Sequence, residues 1–197
     1  MLDPSNPLST LIPNFNHEGL LPPVLHDPVG RNRSPYLVSV FDLICRFGTS
    51  PTRCDILRGF VRLRHALFQN SFTGFQWIGG SFVENLTDRE PNDIDVVSFI
   101  EHHISPQRLK DIAYEDMLIS KTGSKKKYCC DSYIVDVSLI DDARYLINDV
   151  TYWYSIFSHT RNNIWKGMLR LELAESRKEQ DFFMALIDWR QNHEPDC

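Results

Sequence analysis

Residues 77–99, WIGGSFVENLTDREPNDIDVVSF, decide how this chain is read. A short apolar run at 75–78 halts at Gly79-Gly80-Ser81, and a polar connection follows that closes with Glu90-Pro91-Asn92. Asp93-Ile94-Asp95 then opens a second run, 93–100, rich in β-branched and aromatic residues. Side chains alternate along a strand, so Asp93 and Asp95 project from one face. Neighbouring carboxylates repel each other unless a cation lies between them. A pair of hard oxygen donors suits Mg²⁺, which keeps several waters and completes its shell with phosphate oxygens. A Gly-Gly-Ser turn lets backbone N–H groups come close to a phosphate.

A third acid appears downstream. Residues 133–140, YIVDVSLI, read as a buried strand. An aspartate there is costly unless paired, hydrogen-bonded or metal-bound. Asp136 is therefore expected to face Asp93 and Asp95, and three such carboxylates are able to hold two metal ions for in-line attack on phosphorus. Asp131, five residues earlier and so on the opposite face, ranks below it.

Gly79-Gly80-Ser81, eleven intervening residues, Asp93-Ile94-Asp95 and a later strand aspartate together resemble the DNA polymerase β-type nucleotidyltransferase superfamily. The resemblance spans roughly residues 72–140. More broadly, the chain is similar to an uncharacterised bacterial family of such domains, through the leader Ile12-Pro13-Asn14-Phe15…Gly19-Leu20-Leu21-Pro22-Pro23 and through Tyr152-Trp153…Arg161…Lys166-Gly167. The resemblance implies an α/β (α+β) fold with a small mixed sheet flanked by helices. It implies transfer of a nucleoside monophosphate from an NTP or dNTP to a hydroxyl, with Mg²⁺ or Mn²⁺ held by Asp93, Asp95 and Asp136. Asp136 would also act as general base. Gly79, Gly80 and Ser81 would cradle the phosphates, and Arg161 and Lys166 would stabilise the leaving pyrophosphate. It further implies a setting in bacterial anti-phage or toxin–antitoxin systems, with a partner effector or toxin protein. The alternative is a catalytically silent antitoxin or sensor that keeps the fold to bind a partner or a nucleotide.

Composition bounds these readings. The chain has 197 residues, 42% hydrophobic and 24% charged, with a net charge of −5. That is an ordinary globular composition, and the acidic balance argues against coating nucleic acid nonspecifically. Five cysteines follow no disulfide or metal spacing, which suggests free thiols in the cytoplasm. No stretch approaches the roughly 20 apolar residues of a membrane span.

Along the chain, residues 1–35 carry seven of the eleven prolines. They read as an extended leader docked through Ile12, Phe15, Leu20 and Leu21. Residues 36–140 would form the core domain, and 141–197 a C-terminal helical and strand extension packed on it. Ser34-Pro35 is expected to start a helix presenting Leu37, Val40, Phe41 and Ile44, and Gly48 to end it. Ser50-Pro51 starts a second, with Ile56, Phe60, Leu63 and Leu67 inward and Arg53, Arg58, Arg62, Arg64 and His65 on a solvated face. A third helix starts at Ser105-Pro106. Residues 121–127, KTGSKKK, read as a flexible basic loop for a substrate's phosphates. Tyr152, Trp153, Ile156 and Phe157 form an aromatic helical face that suits a core better than a base-stacking platform. Residues 168–173 alternate like a strand, and Ser176 with Glu179 makes a capping box for a last helix. His102-His103 lack a third ligand for zinc. With one dense basic cluster, the chain suits template-independent chemistry on a short oligonucleotide, a nucleotide or a protein, and oligomerisation stays open.

Overall fold

The 93–100 run becomes strand β3 (Ile94–Ile100), and both of its faces are covered. Ile94, Val96 and Ile100 are fully buried on one side, Val97 and Phe99 on the other. β3 pairs antiparallel with β2 (Gly74–Gly79), in a register that sets Gly79 opposite Asp95. On its other edge it pairs parallel with β4 (Cys130–Asp136). β5 (Leu169–Leu173) pairs antiparallel with β2, and the two-residue β1 (Tyr36–Leu37) runs parallel to β5. The result is a five-strand mixed sheet flanked by helices, in the order β1-β5-β2-β3-β4. β5 comes from the 141–197 segment and lies between β1 and β2, so that segment supplies an inner strand of the sheet. The computed structural model describes residues 12–25, 29, 32–101, 105–114, 118, 122–138, 143–173 and 177–192. His102, His103, Lys121 and Ser176 lie outside them.

One face of the sheet carries the main core, closed by helices α1 (Val40–Phe47), α2 (Pro51–Gln69) and α6 (Arg177–Asn192). α1 begins later than the Ser34-Pro35 signal suggests. Ser39 is its N-cap and forms a capping box with Asp42, while Tyr36 and Leu37 are drawn into the sheet as β1. The α1 face that packs is Val40, Leu43, Ile44 and Phe47, which leaves Phe41 and Leu37 exposed. α2 starts with Ser50 as N-cap and Pro51 at its first position, where a missing N–H costs nothing. Ile56, Phe60, Leu63 and Leu67 are all buried on it.

The arginines of α2 do not form a solvated face. Arg64 is 1% exposed and donates to the Gln76 side chain at 2.6 Å and to the Glu172 carbonyl at 2.7 Å. Arg53 is also buried and donates to the Phe82 and Glu84 carbonyls at 2.8 and 2.9 Å. Both guanidiniums are tolerated inside because carbonyl and amide oxygens accept hydrogen bonds from their N–H groups. Arg58 pairs with Asp55 and Asp188 at the surface.

The leader is laid on this body. Ile12, Leu20 and Leu21 are buried, each contributing about 2 kcal/mol of apolar transfer, and Phe15 meets Phe47 edge-on with centroids 6.2 Å apart. The Gly19 carbonyl accepts from Asn85 N–H at 2.8 Å, and the Leu21 carbonyl from Gly167 N–H at 2.6 Å. The leader thus braces both the polar connection after Gly80 and the approach to β5.

The opposite face of the sheet is more thinly covered, by α5 (Ala143–Phe157) alone among the described helices that join its cluster. Phe157 is the buried residue of that helix. Trp77, Val97, Phe99, Val135 and Met168 complete the buried part of this smaller cluster. Residues 123–128 of the basic stretch are not a loop: they form a short helix, α4 (Gly123–Tyr128), ended by Cys129 in the left-handed conformation. α3 (Pro106–Tyr114) precedes it and buries Ile112 in the main core.

Candidate functional site

β2 ends, and β3 and β4 begin, at the same end of the sheet, so the acids near those strand starts meet the glycine turn. Asp95 lies opposite Gly79 on one side and opposite Asp131 on the other. Partners in register share a face, and Asp93 is two residues before Asp95. Asp93, Asp95 and Asp131 therefore belong to the face that carries Trp77, Val97 and Phe99. Asp93 and Asp131 are both buried.

Asp136 is the correction. It lies opposite Ile100, at the far end of β4, about 16 Å along the strand from Asp131. The two are five positions apart, an odd offset, so Asp136 belongs to the other face of the sheet. Its carboxylate accepts from the Ser138 amide at 2.9 Å and from the Ser138 hydroxyl at 2.6 Å, closing the turn after the strand. Sequence spacing placed Asp131 and Asp136 on opposite faces; only the register shows that Asp131 is the one beside Asp95. The usable signal was the start of the strand, since Cys130 and Asp131 already pair with Ile94 and Asp95.

The glycine turn touches the acids directly. Gly80 has φ +68°, and a Cβ built there would overlap the Asp95 carboxylate. A side chain is thus excluded twice, by backbone conformation and by space. Gly79 faces α5: a Cβ would come 2.7 Å from Phe157 Cγ. Ser81 opens a 3-10 turn, Ser81–Val83, whose Phe82 and Val83 are buried.

Two lysines serve this site in different ways. Lys166, 1% exposed, donates to the Gly80 carbonyl at 2.7 Å and pairs with Glu84. It ties the turn together from beneath, and burial pulls its pKa down while Glu84 and Asp95 pull it back up. Expected to meet pyrophosphate, it is instead consumed by the turn. Arg161 stands exposed in the turn closed by the Thr160–Ile164 hydrogen bond, and no described contact joins it to the acids. The cation that does reach them is Lys125, from α4, which pairs with Asp93. That contact raises the Lys125 pKa.

The charge balance is acidic. Asp95 has its pKa pushed up to about 6, first by burial, then by Asp93 and Asp131, against smaller opposing effects of Lys166 and Lys125. Asp131 keeps one buried carboxylate oxygen, Oδ1, without a hydrogen-bond partner. Tyr133 lies two residues along β4 on the same face, and burial first and then Asp131 push its phenol up to about 12. An orphaned buried oxygen and a carboxyl held half-protonated near pH 6 both call for added positive charge. Among the described residues no three His, Cys, Asp or Glu side chains form a ready-made metal cage. Mg²⁺ does not need one, since one or two carboxylates plus phosphate and water oxygens suffice. Asp93, Asp95 and Asp131 are the residues here that could offer oxygen donors to a cation.

The chain belongs to a family of unknown function, DUF6932, whose model matches residues 13–172. The match begins in the leader and ends within β5, so it takes in every residue placed at this site. No curated protein and no solved structure matches the chain.

Proposed function

We propose that the protein is a metal-dependent nucleotidyltransferase, with the polymerase β-type fold that its motif resembles. It would transfer a nucleoside monophosphate from an NTP or dNTP to a hydroxyl, without a template. The observation that carries this reading is the convergence of Asp93, Asp95 and Asp131 beside the Gly80 turn, where burial first and then the neighbouring carboxylates raise the Asp95 pKa.

Asp93 and Asp95 would hold Mg²⁺ or Mn²⁺, with Asp131 as the third oxygen donor in place of Asp136. Such an ion, when bound, supplies charge neutralisation on the triphosphate and acidifies the acceptor hydroxyl. The chain's own residues do the rest. The Gly79-Gly80-Ser81 turn presents backbone N–H groups to phosphate oxygens, and Lys166 and Glu84 fix its shape from below. The acceptor oxygen forms a bond to the α-phosphorus, the α–β bridging bond breaks, and pyrophosphate leaves. The acceptor's proton passes to a carboxylate, and Asp131 has the oxygen with no other partner. Lys125, released from Asp93, is the mobile cation placed to meet the phosphates.

The test is to incubate the pure protein with each NTP and dNTP plus Mg²⁺ or Mn²⁺ and to resolve products by mass, for the wild type and for Asp93→Ala, Asp95→Ala and Asp131→Ala. Product from the wild type and none from the variants supports the reading. Unchanged product in the variants removes it.

A further inference from the structure

α5 is aromatic and aliphatic by sequence, yet Tyr145, Ile147, Tyr152 and Ile156 on it are all exposed. One part of that surface is continuous with the acids. Tyr133 follows Asp131 by two residues on the same face of β4. Trp153 packs on the Tyr133 ring with centroids 4.5 Å apart, and against Phe157 at 5.7 Å. Tyr152 stands edge-on to Trp153, centroids 5.1 Å and planes at 79°. Its own phenol is close enough to act electrostatically on that of Tyr133. Trp153 is thus a half-buried foundation, whereas Tyr152, 57% exposed, is the ring left at the rim. Core packing explains Phe157 and Trp153. It does not explain why a series that starts two residues from Asp131 ends in an exposed ring.

We propose that Tyr152, supported by Trp153 and Tyr133, is the stacking platform for the nucleobase of the nucleotide whose phosphates meet Asp93, Asp95, Asp131 and the Gly80 turn. This rests on the nucleotidyltransferase reading and adds to it where the base binds. An aromatic face takes any base, because every base has a π-face, and a purine offers more area than a pyrimidine.

The test is calorimetric titration with ATP and, separately, inorganic tripolyphosphate, each with Mg²⁺, into wild type, Tyr152→Ala and Tyr152→Phe. Tyr152→Ala should weaken ATP about tenfold and leave tripolyphosphate unchanged, as the loss of one stacking partner requires. Tyr152→Phe, which keeps the ring, should bind ATP within about twofold of wild type. ATP binding unchanged in Tyr152→Ala overturns the platform and leaves the nucleotide site standing. Equal weakening of both ligands shows an effect on the phosphate end and also overturns it. If the wild type binds neither ligand, the nucleotidyltransferase reading falls, and the platform with it.

Discussion

The two faces of the sheet are built for different ends. The face under α1, α2 and α6 buries an extended set of aliphatic and aromatic side chains, and a polar chain runs through it, Arg64 on Gln76 and Gln76 on Ser98 at 2.8 Å, with the buried Ser132 hydroxyl on the same face left without a partner. The face under α5 buries six apolar residues among those described, and their neighbours Tyr133, Trp153 and Tyr154 remain only partly covered. The three acids belong to this second face. The dense face supplies stability that the sparse face gives up: like charges packed together and an exposed aromatic helix lie on a sheet anchored from behind. Functional sites are where such local costs concentrate.

Breaking the dense face should have the largest effect. Phe60→Ala, at a fully buried position on α2, should cost about 3–5 kcal/mol in denaturant unfolding. On the sparse face Tyr152→Ala should cost less than about 0.5 kcal/mol. Equal costs would dissolve the contrast.

Next comes the choice between the two strand aspartates. Asp131→Asn should lower product formation by about a hundredfold or more, since it removes a charge facing the reacting groups. Asp136→Asn should stay within about twofold, because Asp136 lies on the other face of the sheet, at the far end of β4 from the acids. Comparing kcat/KM of the two variants checks this, and the reverse pattern would restore Asp136 as the third acid.

A pH titration of stability reads the charge stress on the sparse face. The Asp95 pKa is raised in the folded protein, from 3.8 to about 6, so the folded state holds its proton more tightly than the unfolded state does. The penalty for ionising it is absent below about pH 4, grows as pH rises through 6, and is complete above that. Unfolding measured without divalent ions should show a loss of about 3 kcal/mol from this group over that window. Asp95→Asn should flatten the profile there, and Mg²⁺ with a nucleotide should offset the loss. A profile in Asp95→Asn identical to wild type would break the assignment.

The smallest effect concerns Lys125. Its pairing with Asp93 balances part of the acidic charge, so Lys125→Met should tighten Mn²⁺ binding a few-fold while weakening nucleotide binding. Opposite signs for the two ligands, read by calorimetry, distinguish a cation that trades partners from a plain surface lysine.

The amino-acid sequence alone determined the local grammar of this protein. Ser50-Pro51 starts α2 because a serine oxygen and a proline both suit a helix start, and 168–173 makes a strand because alternation buries every second residue. The Gly79-Gly80-Ser81 turn and the Asp93/Asp95 pair were legible for the same reason, being set by spacing within one short stretch. What only the tertiary structure decided is long-range. Strand register chose Asp131 over Asp136, a choice that parity within one strand leaves open. Packing against the turn drew Lys166 under Gly80 and turned residues 123–128 into a helix that brings Lys125 to Asp93. Burial with acceptors to hand took Arg53 and Arg64 inside, and the lack of a covering layer left α5 outside. Such partners are set by the pairing of segments far apart in the chain, where propensity and periodicity carry no information about which residue meets which.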